Sequence, residues 1–154
     1  MLVLKSFLIS LVFLMSFPGI LKAEEDKMHE QIESLSKAVH EHLAEAKISD
    51  GTLIGPERAK TLVYPLITYE IRKEIIVRGH VSGFADWCGL NWQKRNFEPF
   101  MDSIRANHKD WTDYQFAYAG MLHGASMGSA KRASEQKGEC TEEFKEKLEK
   151  NLLK

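Results

Sequence analysis

Cysteine is scarce in this chain: 154 residues hold two, Cys88 and Cys140. Position 91, three after Cys88, is Asn91. The C-x-x-C pair of dithiol oxidoreductases is therefore missing, although Trp87-Cys88-Gly89 matches part of it. No cysteine lies near residue 23, which removes a lipoprotein-type anchor. The four prolines are dispersed, and no repeat, low-complexity tract or linker divides the chain. Neither charge dominates, with 21 Lys and Arg against 22 Asp and Glu. The basic face expected of a nucleic-acid binder is absent, and nothing favours a membrane surface. The H-E-x-x-H zinc motif fails as well, because Ala44 stands where a second histidine would follow His40-Glu41.

What is present begins at the amino end. Met1–Lys5 is short and basic, Phe7–Phe17 is apolar, Pro18-Gly19 interrupts it, and Leu21-Lys22-Ala23 precedes two glutamates. This is the layout of a secretory signal peptide cut after Ala23. The apolar run is shorter than the ~20 residues a membrane span needs. The expected destination is the periplasm or the exterior, where Cys88 and Cys140 can form a disulfide. Residues 24–154 are then one domain of 131 residues, large enough for a core. No stable membrane insertion is expected after cleavage.

Helical periodicity runs through that domain. Met28, Ile32, Leu35, Val39, Leu43 and Ala46 form one apolar stripe over residues 25–47, and Ser49-Asp50-Gly51 closes it. Gly55-Pro56-Glu57 reads as a helix start. Residues 57–78 read as helix with a restart at Pro65 and a stop at Gly79. Ser82 is positioned to cap a helix carrying Phe84, Cys88 and Trp92. Asn96 and Pro99 mark a break and restart, and Phe97, Phe100, Met101 and Ile104 form the next apolar face. Thr112-Asp113-Tyr114-Gln115 is a capping box. The helix it opens has no charged residue from Tyr114 to Ala130, the mark of a central helix. Gly120, Gly124 and Gly128 are spaced for a tight helix crossing on that helix. Thr141 caps a last helix with Phe144, Leu148 and Leu152 on its stripe.

Several patterns bear on chemistry. A Cys88–Cys140 bridge would close about 52 residues and staple the last helix to the core. Gly124-Ala125-Ser126-Met127-Gly128 matches the G-x-S-x-G of α/β-hydrolases, but a helix leads into it and no histidine follows Ser126. His123 and Met127 stand one helical turn apart, a pair that suits copper or a small ligand. The same spacing also describes a neutral core histidine beside a filler methionine. Nine aromatics fall within residues 84–118, among them all three tryptophans, Trp87, Trp92 and Trp111. With Arg95, Arg105 and Gln115 nearby they describe either a binding surface or a small helical core.

The stretch Trp87-Cys88-Gly89-Leu90-Asn91-Trp92, with Arg105, Gln115 and Leu122-His123-Gly124, resembles a group of exported all-helical proteins of Gram-negative bacteria to which no activity is assigned. The resemblance covers about a third of the chain, Gly79 to Gly128. It implies export and an all-helical fold, and it draws attention to Trp92, Arg105 and His123.

The expectation is an all-α bundle of five or six helices with one disulfide. The leading functional expectation is a non-enzymatic exported protein that binds a protein or cell-envelope partner through its first helix and aromatic residues. The candidate contacts are Trp87, Trp92, Arg95, Arg105, Gln115 and His123. A metal or small-ligand binder centred on His123 and Met127 is the alternative, and a small enzyme pairing His123 with Asp86 or Glu98 a further one. No cofactor is expected.

Overall fold

The computed structural model describes residues 18–152. The basic start and the apolar run Phe7–Phe17 lie outside the described residues. Six α-helices follow in order: α1 (Pro18–Glu41), α2 (Gly55–Ala59), α3 (Tyr69–Trp87), α4 (Glu98–Asn107), α5 (Asp113–Glu135) and α6 (Glu142–Glu149). A 3₁₀ turn, Leu43–Glu45, extends α1, and a π-helical turn, Gln93–Phe97, leads into α4. No strand forms among the described residues beyond one isolated antiparallel bridge, Lys47 to Leu53, around the Gly51 turn.

The α1 stripe faces inward. Ile32, Val39, Leu43 and Ala46 are buried, while Met28 at its start is 45 % exposed. The helix stops at Glu41 rather than at residue 47, because the chain tightens into the 3₁₀ turn to seat Leu43 in the core. Pro56 occupies the first turn of α2 as its fixed φ favours. Helix does not continue from there: α2 is five residues long and α3 begins only at Tyr69, after an irregular passage containing a cis Tyr64–Pro65 bond.

Two local signals are overridden in α3. Gly79 does not end the helix and Ser82 does not cap one; both are buried inside it. The reason is the crossing with α5. A Cβ on Gly79 would lie 2.7 Å from the His123 carbonyl oxygen and from Ser126 Cβ. One on Gly83 would collide with the Met127 carbonyl oxygen and approach Ala130 Cβ at 2.8 Å. The backbones of α3 and α5 therefore meet directly, and this packing outweighs the weak helix propensity of glycine. The real stop is Gly89, with φ +69°. Gly89 N–H donates to Asp86 O and Leu90 N–H to Ala85 O, a Schellman ending.

The tight crossing expected of Gly120, Gly124 and Gly128 is thus made by other residues. Nothing lies within 4 Å of a Cβ built on Gly120 or Gly124, and at Gly128 only the Arg132 guanidinium is near. The crossing uses the opposite side of α5, where Ser126 and Ala130 supply the small side chains. The central position of α5 itself is as expected: Tyr118, Ala119 and Leu122 are fully buried.

The capping predictions at residues 112 and 141 match the geometry. Gln115 Oε1 accepts from Thr112 N–H at 2.8 Å, and Thr141 Oγ1 accepts from Phe144 N–H at 3.3 Å. The Cys88–Cys140 disulfide is present, with Cα atoms 5.2 Å apart. It ties α6 to the end of α3, where Ala85, Cys88, Leu148 and Leu152 make a second, smaller apolar cluster.

Candidate functional site

Helices α4 and α5 and the turn after α1 enclose an open groove of about 600 Å³. Its floor is Phe97, Met101, Phe116, Ala117, Gly120 and Met121; Lys47, Ser49, Arg105 and Asp113 form the rim. The floor is apolar because α5 carries no charge from Tyr114 to Ala130, so whichever side the core leaves uncovered is apolar too. Gly120 and Gly124 leave bare backbone along this side. On the rim, Ser49 Oγ donates to Asp113 Oδ2 at 3.0 Å, pinning the turn to the start of α5. Arg105 Nη1 pairs with Asp102 one turn away at 3.1 Å, an exposed contact that leaves the guanidinium at the groove edge.

His123 lies elsewhere, sealed in the core at 1 % exposure. Asn96, brought inward by the π-helical turn, donates through Nδ2 to Arg78 O and to Ser82 Oγ, each at 2.9 Å. Ser82 Oγ also stands 3.1 Å from His123 Nε2, and the two share a hydrogen bond. Phe97 and Trp92 pack on it with centroids 4.7 and 6.4 Å away. Burial holds its pKa down at about 4. Solvent-borne substrate does not reach such a ring. Asp86 pairs with Lys131 at 2.8 Å and Glu98 accepts from Gln93 at 3.0 Å, so neither acid is hydrogen-bonded to His123. Ser126 is buried mid-helix and donates to Ile76 O at 2.7 Å, which is not a nucleophile elbow.

The six residues singled out from the sequence do not form one site. Trp87 Nε1–H donates to Gly138 O at 3.1 Å, under the carboxy-terminal segment. Arg95 pairs with Glu149 at 3.1 Å on α6. Gln115 Nε2 donates to Leu66 O at 3.0 Å and completes the α5 cap. Trp92, itself half-buried, packs its ring on the sealed His123. Arg105 alone among them lines the groove. The groove floor was not legible, because which side of an uncharged helix stays open depends on the crossing with α3.

A second polar cluster sits between α1 and α3. Arg72, 4 % exposed at its side chain, is gripped by both Glu33 oxygens at 2.7 and 2.9 Å. Tyr64 donates to Glu33 at 2.5 Å and accepts from Arg72. The hydrogen bonds from Arg72 and Tyr64 lower the Glu33 pKa to about 2. Burial and the Glu33 hydrogen bond push Tyr64 up to about 12. The cluster locks the two helices together.

Among the described residues, no three His, Cys, Asp or Glu side chains come together as metal ligands. No described helix is long and apolar enough to cross a membrane. Comparison with family models, with curated proteins and with solved structures finds no match to this chain.

Proposed function

We propose that this is a non-enzymatic, exported helical protein, active in the periplasm or outside the cell, that binds a protein partner in the α4–α5 groove. The observation carrying the reading is the open apolar floor beside the uncovered Gly120–Gly124 backbone, rimmed by Lys47, Arg105 and Asp113. Such a surface combines an apolar centre with a polar rim, as protein interfaces do. A partner backbone can also come close where no side chain stands. Most of the α1 stripe is packed in the core, which favours the groove over the first helix as the contact surface. The disulfide fits an oxidising compartment, and the sealed His123 speaks against chemistry on a diffusing substrate.

The test is capture from the native envelope fraction with the oxidised protein, its Gly120→Arg variant, and a Val63→Lys control outside the groove. Val63 is 83 % exposed, and Gly120 has room for a side chain, so both variants fold. Wild type and control should retain one defined partner in stoichiometric amount, and Gly120→Arg should lose it. Identical capture by all three would reject the groove as the binding site.

A further inference from the structure

The carboxy-terminal segment is a separable unit. Its cluster, Ala85 and Cys88 with Leu148 and Leu152, is distinct from the main core. α6 has eight residues, well below the ~12–15 at which an isolated helix becomes even marginal in water. Its polar attachments are slight. Trp87 donates to Gly138 O, the Arg95–Glu149 pair is exposed, and Arg78 Nη1 stands 3.5 Å from Asn151 O. The connection from Gln136 to Glu139 is exposed and turns at Gly138, φ +103°. Only the disulfide is strong, and its two ends differ: Cys88 is 7 % exposed, whereas Cys140 is partly open to solvent.

We propose that Gly138–Leu152 is a redox-held latch, released by thiol–disulfide exchange at Cys140 while residues 24–135 keep their fold, so that the face formed by Phe84, Trp87, Leu90 and Trp92 is uncovered. The co-reactant is a dithiol. One of its thiolates attacks Cys140 Sγ, the Cys88–Cys140 bond breaks, and Cys88 leaves as a thiolate that takes up a proton. The second thiol of the reductant then displaces Cys140 from the mixed disulfide. The reductant ends as a disulfide, and two electrons and two protons end on the cysteine pair. With the bundle folded, the loop that matters is the five residues from Gln136 to Cys140. The chain-entropy relation gives such a loop roughly a thirtyfold effect on docking. Leu148 and Leu152, with the half-exposed Phe144 ring on Phe84 and Trp87, have to order a dozen residues without that help, and the balance tips toward release. Arg78 carries the event inward, since the same Nη1 that faces Asn151 also donates to Asn96 Oδ1 at 3.3 Å, in the His123 network. The latch is independent of the groove and of any partner bound there.

Hydrogen exchange read by mass spectrometry decides the matter. The samples are the full oxidised chain, the same chain in dithiothreitol, and Cys140→Ser without reductant. Amides of residues 142–149 should exchange roughly thirtyfold faster in the second and third samples, with α3 and α5 unchanged, and trypsin should then cut at Lys137 and Lys145. Unaltered protection of α6 in both samples would show that docking does not need the bond. Joint loss of protection in α3, α5 and α6 would show a staple of the whole fold. Either result overturns the latch.

Discussion

Replacing Gly83 by alanine tests the central crossing most directly. An alanine methyl there meets the Met127 carbonyl oxygen, Ala130 Cβ at 2.8 Å and Lys131 N at 3.0 Å. Two of the three are backbone atoms of α5, which no rotamer change can move aside. Relief requires the two helices to part by several tenths of an ångström, and a well-packed core resists this at about 1–3 kcal/mol, occasionally more. Against that, alanine gains about 1 kcal/mol over glycine inside a helix. With three contacts at or below 3.0 Å the cost lies at the upper end, so the net expectation is a loss of about 2 kcal/mol. Gly124→Ala is the counterpart: the same chemical change on α5 with nothing within 4 Å. It should stabilise by up to about 1 kcal/mol. Urea unfolding of the oxidised protein, followed by far-ultraviolet circular dichroism and extrapolated linearly, measures both. Opposite signs are required. A Gly83→Ala variant as stable as wild type would show that the two backbones do not meet as described.

Three further outcomes follow from the polar clusters. Glu33 is held below its unfolded pKa of 4.5, so its share of the stability is complete above about pH 5 and fades as pH falls toward 2; with the side chain one-third exposed the loss is about 2 kcal/mol, and Glu33→Gln should flatten that limb of the pH–stability curve. His123 is depressed from 6.5 to about 4 by burial, so its contribution is present above pH 6.5 and drains away as pH falls through 4; its ring proton resonances in NMR should stay at their neutral position down to pH 5, and a midpoint near 6.5 would contradict the sealed geometry. Asn96→Ala removes the donor to Arg78 O and Ser82 Oγ at a fully buried position and should cost about 2–3 kcal/mol in the same urea assay.

Much of the architecture was readable because the determinants are local. The α1 stripe, the Thr112 and Thr141 caps, the charge-free span of α5 and the pairing of two lone cysteines each depend on residues close in sequence or on a simple count. What failed was the punctuation of α3. Gly79 and Ser82 carry the signature of an ending and a beginning, and a glycine that admits a neighbouring backbone looks identical in sequence to one that terminates a helix. The same ambiguity hid the crossing: Gly79 and Gly83 repeat at four residues just as Gly120 and Gly124 do, and only the tertiary partner tells which pair is pressed and which lies bare. Arg105 was singled out and does reach the groove. Phe97, Met101, Phe116 and Met121 carry no sequence mark of a groove, since apolar residues lining an open trough follow the same periodicity as buried ones.

The 52-residue separation of the bridged cysteines has a consequence for biosynthesis. The chain is made from its amino end, so Cys88 appears first and waits as an unpaired thiol while α4 and α5 are still being added. The crossing of α3 with α5 can close before Cys140 arrives. During that interval the only sulfur available to Cys88 belongs to another molecule. Where the chain emerges into an oxidising compartment, prompt delivery of the tail is therefore what keeps Cys88 from pairing with another molecule.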